Sequence, residues 1–123
     1  MNIIIAGSRH LPTPEQRQQV AEWIFAQGVV VTVATNQPIT VICGMAKGID
    51  TFGEEVAKFL GWGVQYFPAD WSRFGKRAGH LRNEAMAEVG NELWLVWDGK
   101  SPGSKNMRMN AEKRGLVIRE LVL

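Results

Sequence analysis

The sequence predicts an α/β fold of three layers, in which a mainly parallel sheet of about five strands is flanked by helices. Three observations carry that expectation. Short β-branched runs alternate with stretches of helical pattern 10–15 residues long. The apolar runs end abruptly in glycine or proline loops. The polar, glycine-bearing stretches Gly7-Ser8-Arg9, Gly44 to Asp50, Pro68 to Arg82 and Asp98 to Lys105 all follow strands. They therefore fall on one edge of the sheet, where α/β folds bind ligands.

Composition narrows the possibilities. A chain of 123 residues reads as a single domain, and 46% hydrophobic against 21% charged residues is a balance that folds. No apolar run approaches 18 residues, so no membrane span is expected. Met1-Asn2-Ile3-Ile4-Ile5 lacks the basic region and cleavage site of a signal peptide, and Cys43 has no second cysteine to pair with. Both suit a reducing cytoplasm. Two histidines and one cysteine at distant positions give no metal-ligand spacing, so no metal is expected. A net charge of +2 excludes a strongly basic nucleic-acid arm but leaves room for a local basic patch.

The elements follow in order. Asn2 to Ala6 is a buried strand that stops at Gly7. Thr13 is a good N-cap, with Pro14 at the first helical position and Gln16 three residues after the cap. The helix from Pro14 to about Gln27 groups Val20, Trp23, Ile24 and Ala26, and Gly28 reads as its stop. Val29 to Thr35 is rich in valine and is expected to be an inserted edge strand, the alternative being an extension of the helix.

Thr40 to Cys43 is the central strand and Asp50 to Leu60 the helix after it. Val64 to Phe67 is the next strand, closed by Pro68, and Ala69 to Arg77 a loop. A helix from Ala78 to about Val89, a strand from Glu92 to Trp97, a loop from Asp98 to Gly103, a helix from Ser104 to Arg114 and a strand from Leu116 to Leu121 complete the chain.

The strand-end loops carry the candidate chemistry. Val41 to Asp50 is a strand, a Gly44-x-x-x-Gly48 turn and a helix start, whose free N–H groups suit a phosphate or carboxylate. A tight strand-to-helix turn needs the same glycines. Cys43, closing an apolar run, reads as a buried thiol rather than a nucleophile. Ser8 and Arg9 offer a hydroxyl and a forked cation. Asp50 either caps its helix or holds a ribose diol. Asp70, Trp71, Arg73, Phe74, Lys76 and Arg77 mix aromatic and cationic groups suited to stacking on a base beside phosphates.

Arg82 and Asn83 lie on the same edge, with Asn83 expected to hydrogen-bond outward. Ser101, Gly103 and Ser104 resemble an anion cradle, Ser104 serving as N-cap and Lys105 supplying charge. His10 and His80 have no acidic neighbour in sequence and read as non-catalytic. Glu84, with Asp50, Asp70 and Asp98, completes the carboxylates that could face a pocket. No nucleophile has an activating neighbour, so binding is better supported than catalysis.

These motifs together resemble the SLOG superfamily, nucleotide-binding Rossmann-like domains related to the DNA-processing Smf/DprA proteins and the cytokinin-activating LOG enzymes. The likeness is to its small YspA-like branch and extends over essentially the whole chain. It is carried by Gly7-Ser8-Arg9, Cys43-Gly44-Met45-Ala46-Lys47-Gly48-Ile49-Asp50 and Phe67-Pro68-Ala69-Asp70-Trp71. Arg82-Asn83-Glu84-Ala85-Met86 and Asp98-Gly99-Lys100-Ser101-Pro102-Gly103-Ser104-Lys105 complete it. The sequence departs from the branch where Cys43 replaces the first glycine of a pair and Ser104 replaces a threonine. Met107 stands where the LOG enzymes carry a catalytic glutamate.

The resemblance implies a Rossmann-like domain that binds a nucleotide or a nucleotide-derived ligand such as ADP-ribose. Phosphates would lie on the helix starts at Gly44–Asp50 and Gly103–Lys105. Arg9 and Arg82 would clamp charge, and Asp50 or Asp98 would hold the ribose. No separate cofactor is implied, and superfamily members are often dimers, so a homodimer is expected. Two other readings stand beside it. One is a nucleotide N-glycosidic hydrolase using Glu84 or Asp98 as acid or base; the other is a single-stranded DNA-binding module of the DprA type. Arg82→Ala and Gly48→Val are both expected to remove binding while the fold survives.

Overall fold

The computed structural model describes residues 1–10 and 12–123. Five strands form one all-parallel sheet: β1 (Asn2–Gly7), β2 (Thr40–Cys43), β3 (Gly63–Tyr66), β4 (Glu92–Trp97) and β5 (Val117–Val122). Their order in the sheet is β3-β2-β1-β4-β5. The helices between them are α1 (Pro14–Thr35), α2 (Ile49–Phe59), α3 (Trp71–Phe74), α4 (Ala78–Val89) and α5 (Pro102–Lys113). This is an α/β Rossmann-like arrangement.

Parallel strands covered on both faces must be apolar on both, and their alternation divides the core into two layers. Ile3, Ile5, Val41, Trp94 and Val96 point to one face, where α1 supplies Val20, Ile24 and Val31 and α2 supplies Ile49 and Ala57. Ile4, Ala6, Ile42, Leu93 and Leu95 point to the other, against Met86 and Ala87 of α4 and Met107 and Ala111 of α5. No helix among the described residues is long and apolar enough to cross a membrane.

The N-terminus of α1 follows the sequence. Thr13 accepts a hydrogen bond from the Gln16 amide, and the Gln16 side chain accepts one from the Thr13 amide. Its C-terminus does not. Val29–Thr35 is helix rather than an edge strand, because Val20, Ile24, Gly28 and Val31 share one buried face at helical spacing. Gly28 is no stop signal. A Cβ there would lie 2.5 Å from the Trp62 ring, so the glycine is the recess into which that ring packs. Trp62 in turn meets Trp94 edge to face, with centroids 6.1 Å apart. The helix ends at Asn36, a left-handed residue whose N–H reaches Thr32 O.

The stretch 69–77 is also not a plain loop. Asp70 caps the one-turn helix α3 by accepting from the Arg73 amide at 3.2 Å, and a 3-10 turn over Gly75–Arg77 leads into α4. The last helix begins at Pro102, two residues ahead of Ser104, with Ser101 in the cap position.

Candidate functional site

Chain leaving β1 turns to the α1 face and chain leaving β4 turns to the α5 face, while β1 and β4 are neighbours. A crevice therefore opens where the two paths part, beyond the strand C-termini. A cavity of about 430 Å³ lies there, walled by the β1–α1 loop, the β2–α2 turn, α3, α4 and the start of α5. Gly7, Arg9, Ala46, Asp50, Trp71 and Arg82 all line it, as do Asn83, Ser101, Gly103 and Ser104. Ten positions singled out on sequence grounds thus converge on one space.

Two glycines make the crevice possible. Gly7 pairs with Val96, and a Cβ on it would fall 1.8 Å from Val96 O. Gly48, at φ +84°, lies under the β1–α1 loop, where a Cβ would approach Ser8 O to 2.4 Å. The Ile49 amide donates to the same Ser8 carbonyl at 3.1 Å. Backbone meets backbone there, so Gly48→Val would disturb the fold itself, contrary to the expectation above. Met45 holds a left-handed φ of 63° without being glycine, a strained turn beside the site.

Asp50 does not cap α2. Gly48 holds the cap position, and Asp50 is only 5% exposed, its Oδ2 accepting from the Ala46 amide at 3.4 Å. Burial pushes its carboxyl up to about 6, against the opposing pull of the Arg82 charge, the Ala46 and Gly7 amides and Arg9. Arg82 donates Nη1 to Gly44 O and Nε to Asn83 Oδ1 (2.9 Å), and burial lowers its own pKa. Cys43 is buried, and burial raises its thiol to about 11, so it is unreactive at neutral pH.

Asn83 turns inward, not outward. Its Nδ2 donates to Asn106 Oδ1 at 3.0 Å and to Gly103 O at 3.4 Å, fixing the first turn of α5 against α4. Ser8 Oγ is also committed to the scaffold: it accepts from the Asp98 amide at 3.2 Å and lies 3.5 Å from Ser101 Oγ. Asp98 Oδ1 accepts from the Lys100 and Ser101 amides, each at 2.8 Å, and from Ser101 Oγ at 2.9 Å. Those bonds hold its carboxylate down at about 2. It shapes the turn, with Gly99 at φ +81°, that delivers α5 to the cavity.

Ser104 differs from all of these. It is the third residue of α5, in the first turn rather than at the cap, 5% exposed, and it lines the cavity. Its Oγ is buried with no hydrogen-bond partner among the described residues. The preceding cap residue, Ser101, makes no side-chain bond to the helix, and Pro102 has no N–H to offer. The Gly103 and Ser104 amides are among the free donors of that first turn.

Other sequence candidates lie outside the cavity lining. Glu84 is exposed on α4, Asp70 is occupied as the α3 cap, and Met45, Lys47 and Lys105 are exposed and not part of the lining. Sequence reasoning set aside His10 and His80, yet both line the cavity, together with Lys76 and Gly79. Trp71, 52% exposed, lies over Gly79, where a Cβ would come within 3.3 Å of its ring. The signal that could have found the histidines is position alone: one follows Gly7-Ser8-Arg9 and the other precedes Arg82 by two residues.

No protein-family model matches the chain, and no solved structure matches it. Among curated proteins, the Gene 61 protein of Mycobacterium phage D29 is 30% identical over 90 residues, covering 65% of this chain and 69% of the phage protein. The chain belongs to the same family as that phage protein.

Proposed function

We propose that this protein binds a nucleotide or nucleotide-derived ligand, ADP-ribose among the candidates, in the cavity at the C-terminal edge of the sheet. The observation that carries the reading is the orphaned Ser104 hydroxyl at the start of α5. A buried polar atom without a partner costs on the order of 1–3 kcal/mol, and an oxygen of a bound phosphate would satisfy it together with the free amides of the helix. Trp71 supplies a flat face for the base. Arg82, anchored on Gly44 and Asn83, adds positive potential to the floor.

Titration calorimetry against AMP, NAD, ADP-ribose and a short single-stranded DNA tests this. Saturable binding of one of the nucleotides supports it. Binding of the DNA alone, weakening steeply with salt, would transfer the site to the polymer reading.

One observation favours a second reading, N-glycosidic hydrolysis. A buried carboxyl poised near 6 in a cavity is the kind of group that general acid catalysis uses. In that reading the acid is Asp50; Glu84 lies outside the cavity and Asp98 is held ionised. Release of free base from nucleoside monophosphates, lost in Asp50→Asn, would establish it. Absence of turnover with retained binding leaves the first reading standing.

A further inference from the structure

We infer that the cavity contains a second anion subsite, built by Arg9, His10, Lys76 and His80, and that its ligand therefore carries two phosphoryl groups on one nucleoside. This rests on the nucleotide reading above and adds the charge of the ligand to it. The four side chains come from three separate places, the β1–α1 loop, the 3-10 turn and α4, and all are exposed at the same cavity. They include both histidines of the chain.

Among the described residues, none of the four makes an ion pair. The ion pairs lie elsewhere: Lys58 with Glu54, Arg108 with Glu112 and Glu120, Arg114 with Glu88, Arg119 with Glu92. None of these residues lines the cavity. Other cations, Lys47, Arg77 and Lys105 among them, are also without an ion pair, so what sets these four side chains apart is that they converge on one cavity.

The start of α5 is a separate element from the three that carry these cations. It offers amides and the Ser104 hydroxyl, enough for one phosphoryl, and its nearest lysine, Lys105, is exposed outside the cavity lining. Arg82 is committed to Gly44 and Asn83. The carboxylate among the lining residues is Asp50, which acts on Arg82 and Arg9 electrostatically but pairs with neither, and the lining keeps more cationic than anionic groups. A ligand with one phosphoryl group would leave Arg9 and Lys76 without a counter-charge, whereas a second phosphoryl group would meet them. An imidazole N–H donates to a phosphate oxygen whether the ring is neutral or charged, so His10 and His80 fit the same role.

The test compares ADP with AMP by titration calorimetry at one pH and one salt concentration, on the native chain and on His10→Gln/His80→Gln. The native chain is expected to bind ADP about tenfold more tightly than AMP, one charge-assisted contact's worth. The double variant should narrow that gap to about threefold or less, losing more affinity for ADP than for AMP. Equal native affinities for ADP and AMP would overturn the second subsite while leaving the nucleotide reading intact. So would a double variant, folded by circular dichroism, that weakens both ligands alike. If the double variant does not fold, Lys76→Gln takes its place, with the same narrowing expected and an unchanged gap counting against the subsite. Failure of both nucleotides to bind would remove the reading itself and the subsite with it.

Discussion

Two buried carboxylates at opposite ends of the sheet are treated in opposite ways. Glu92, at the N-terminal end of β4, is 7% exposed and matched by side chains: its Oε1 accepts from Trp94 Nε1 at 3.0 Å and pairs with Arg119 at 2.9 Å. Asp50, beyond the C-terminal end of β2, is buried as deeply yet is held only by backbone amides, Ala46 at 3.4 Å and Gly7, with no ion pair among the described residues. Arg82 is close enough to act on it electrostatically but donates to Gly44 and Asn83 rather than to it. A polar group buried for stability alone finds its partners within the chain. The end that leaves Ser104 Oγ without a partner among the described residues is the end where the proposed ligand would bind.

Breaking the framework under the under-satisfied end should have the largest effect. Gly48→Val places a side chain against the Ser8 and Arg9 backbone at a positive φ, and should cost about 4 kcal/mol or prevent folding, read by urea denaturation.

Asp50→Asn should do the reverse. A carboxyl raised from 3.8 to about 6 in the folded state favours folding in its protonated form. That contribution is fully present below pH 4 and is lost as pH rises through 6, so at neutral pH the ionised group costs on the order of 2–3 kcal/mol. Asp50→Asn is therefore expected to be more stable than the native chain at pH 7 and to lose the fall in stability between pH 4 and 6. An unchanged pH profile in the variant would refute the assignment.

Arg119→Met, at the satisfied end, should destabilise by about 2 kcal/mol, since it strands Glu92. The contrast in sign between these two changes is the sharpest form of the comparison. Glu84→Gln should change stability by less than about 0.5 kcal/mol and leave ligand binding intact, because the side chain is exposed outside the cavity.

The strands and most helices were legible because period, caps and glycine stops agree at those positions, as at Thr13 and Gly7. The end of α1 was not. Gly28 serves a ring from a distant part of the chain, and only the tertiary fold distinguishes a recess from a stop. The candidate site was legible as loops on one edge, since strand ends fix which stretches converge. Roles within it were less so. Ser8, Asn83, Asp70 and Asp98 look like ligand groups in sequence, and the fold spends each of them on its own scaffold. His10 and His80 carry no local pattern, so only the convergence of the β1–α1 loop with α4 reveals them.

The most direct test of the central claim is a paired measurement on the native chain and Ser104→Ala, recording thermal stability with and without AMP. The variant removes a buried hydroxyl that has no partner, so without ligand it should melt no lower than the native chain. With AMP at about 100 times its dissociation constant the native chain should rise by several degrees, and the variant by clearly less at the same concentration. A variant that melts lower without ligand yet gains the same rise with it would show that the hydroxyl serves the fold and not a phosphate, and would contradict the account.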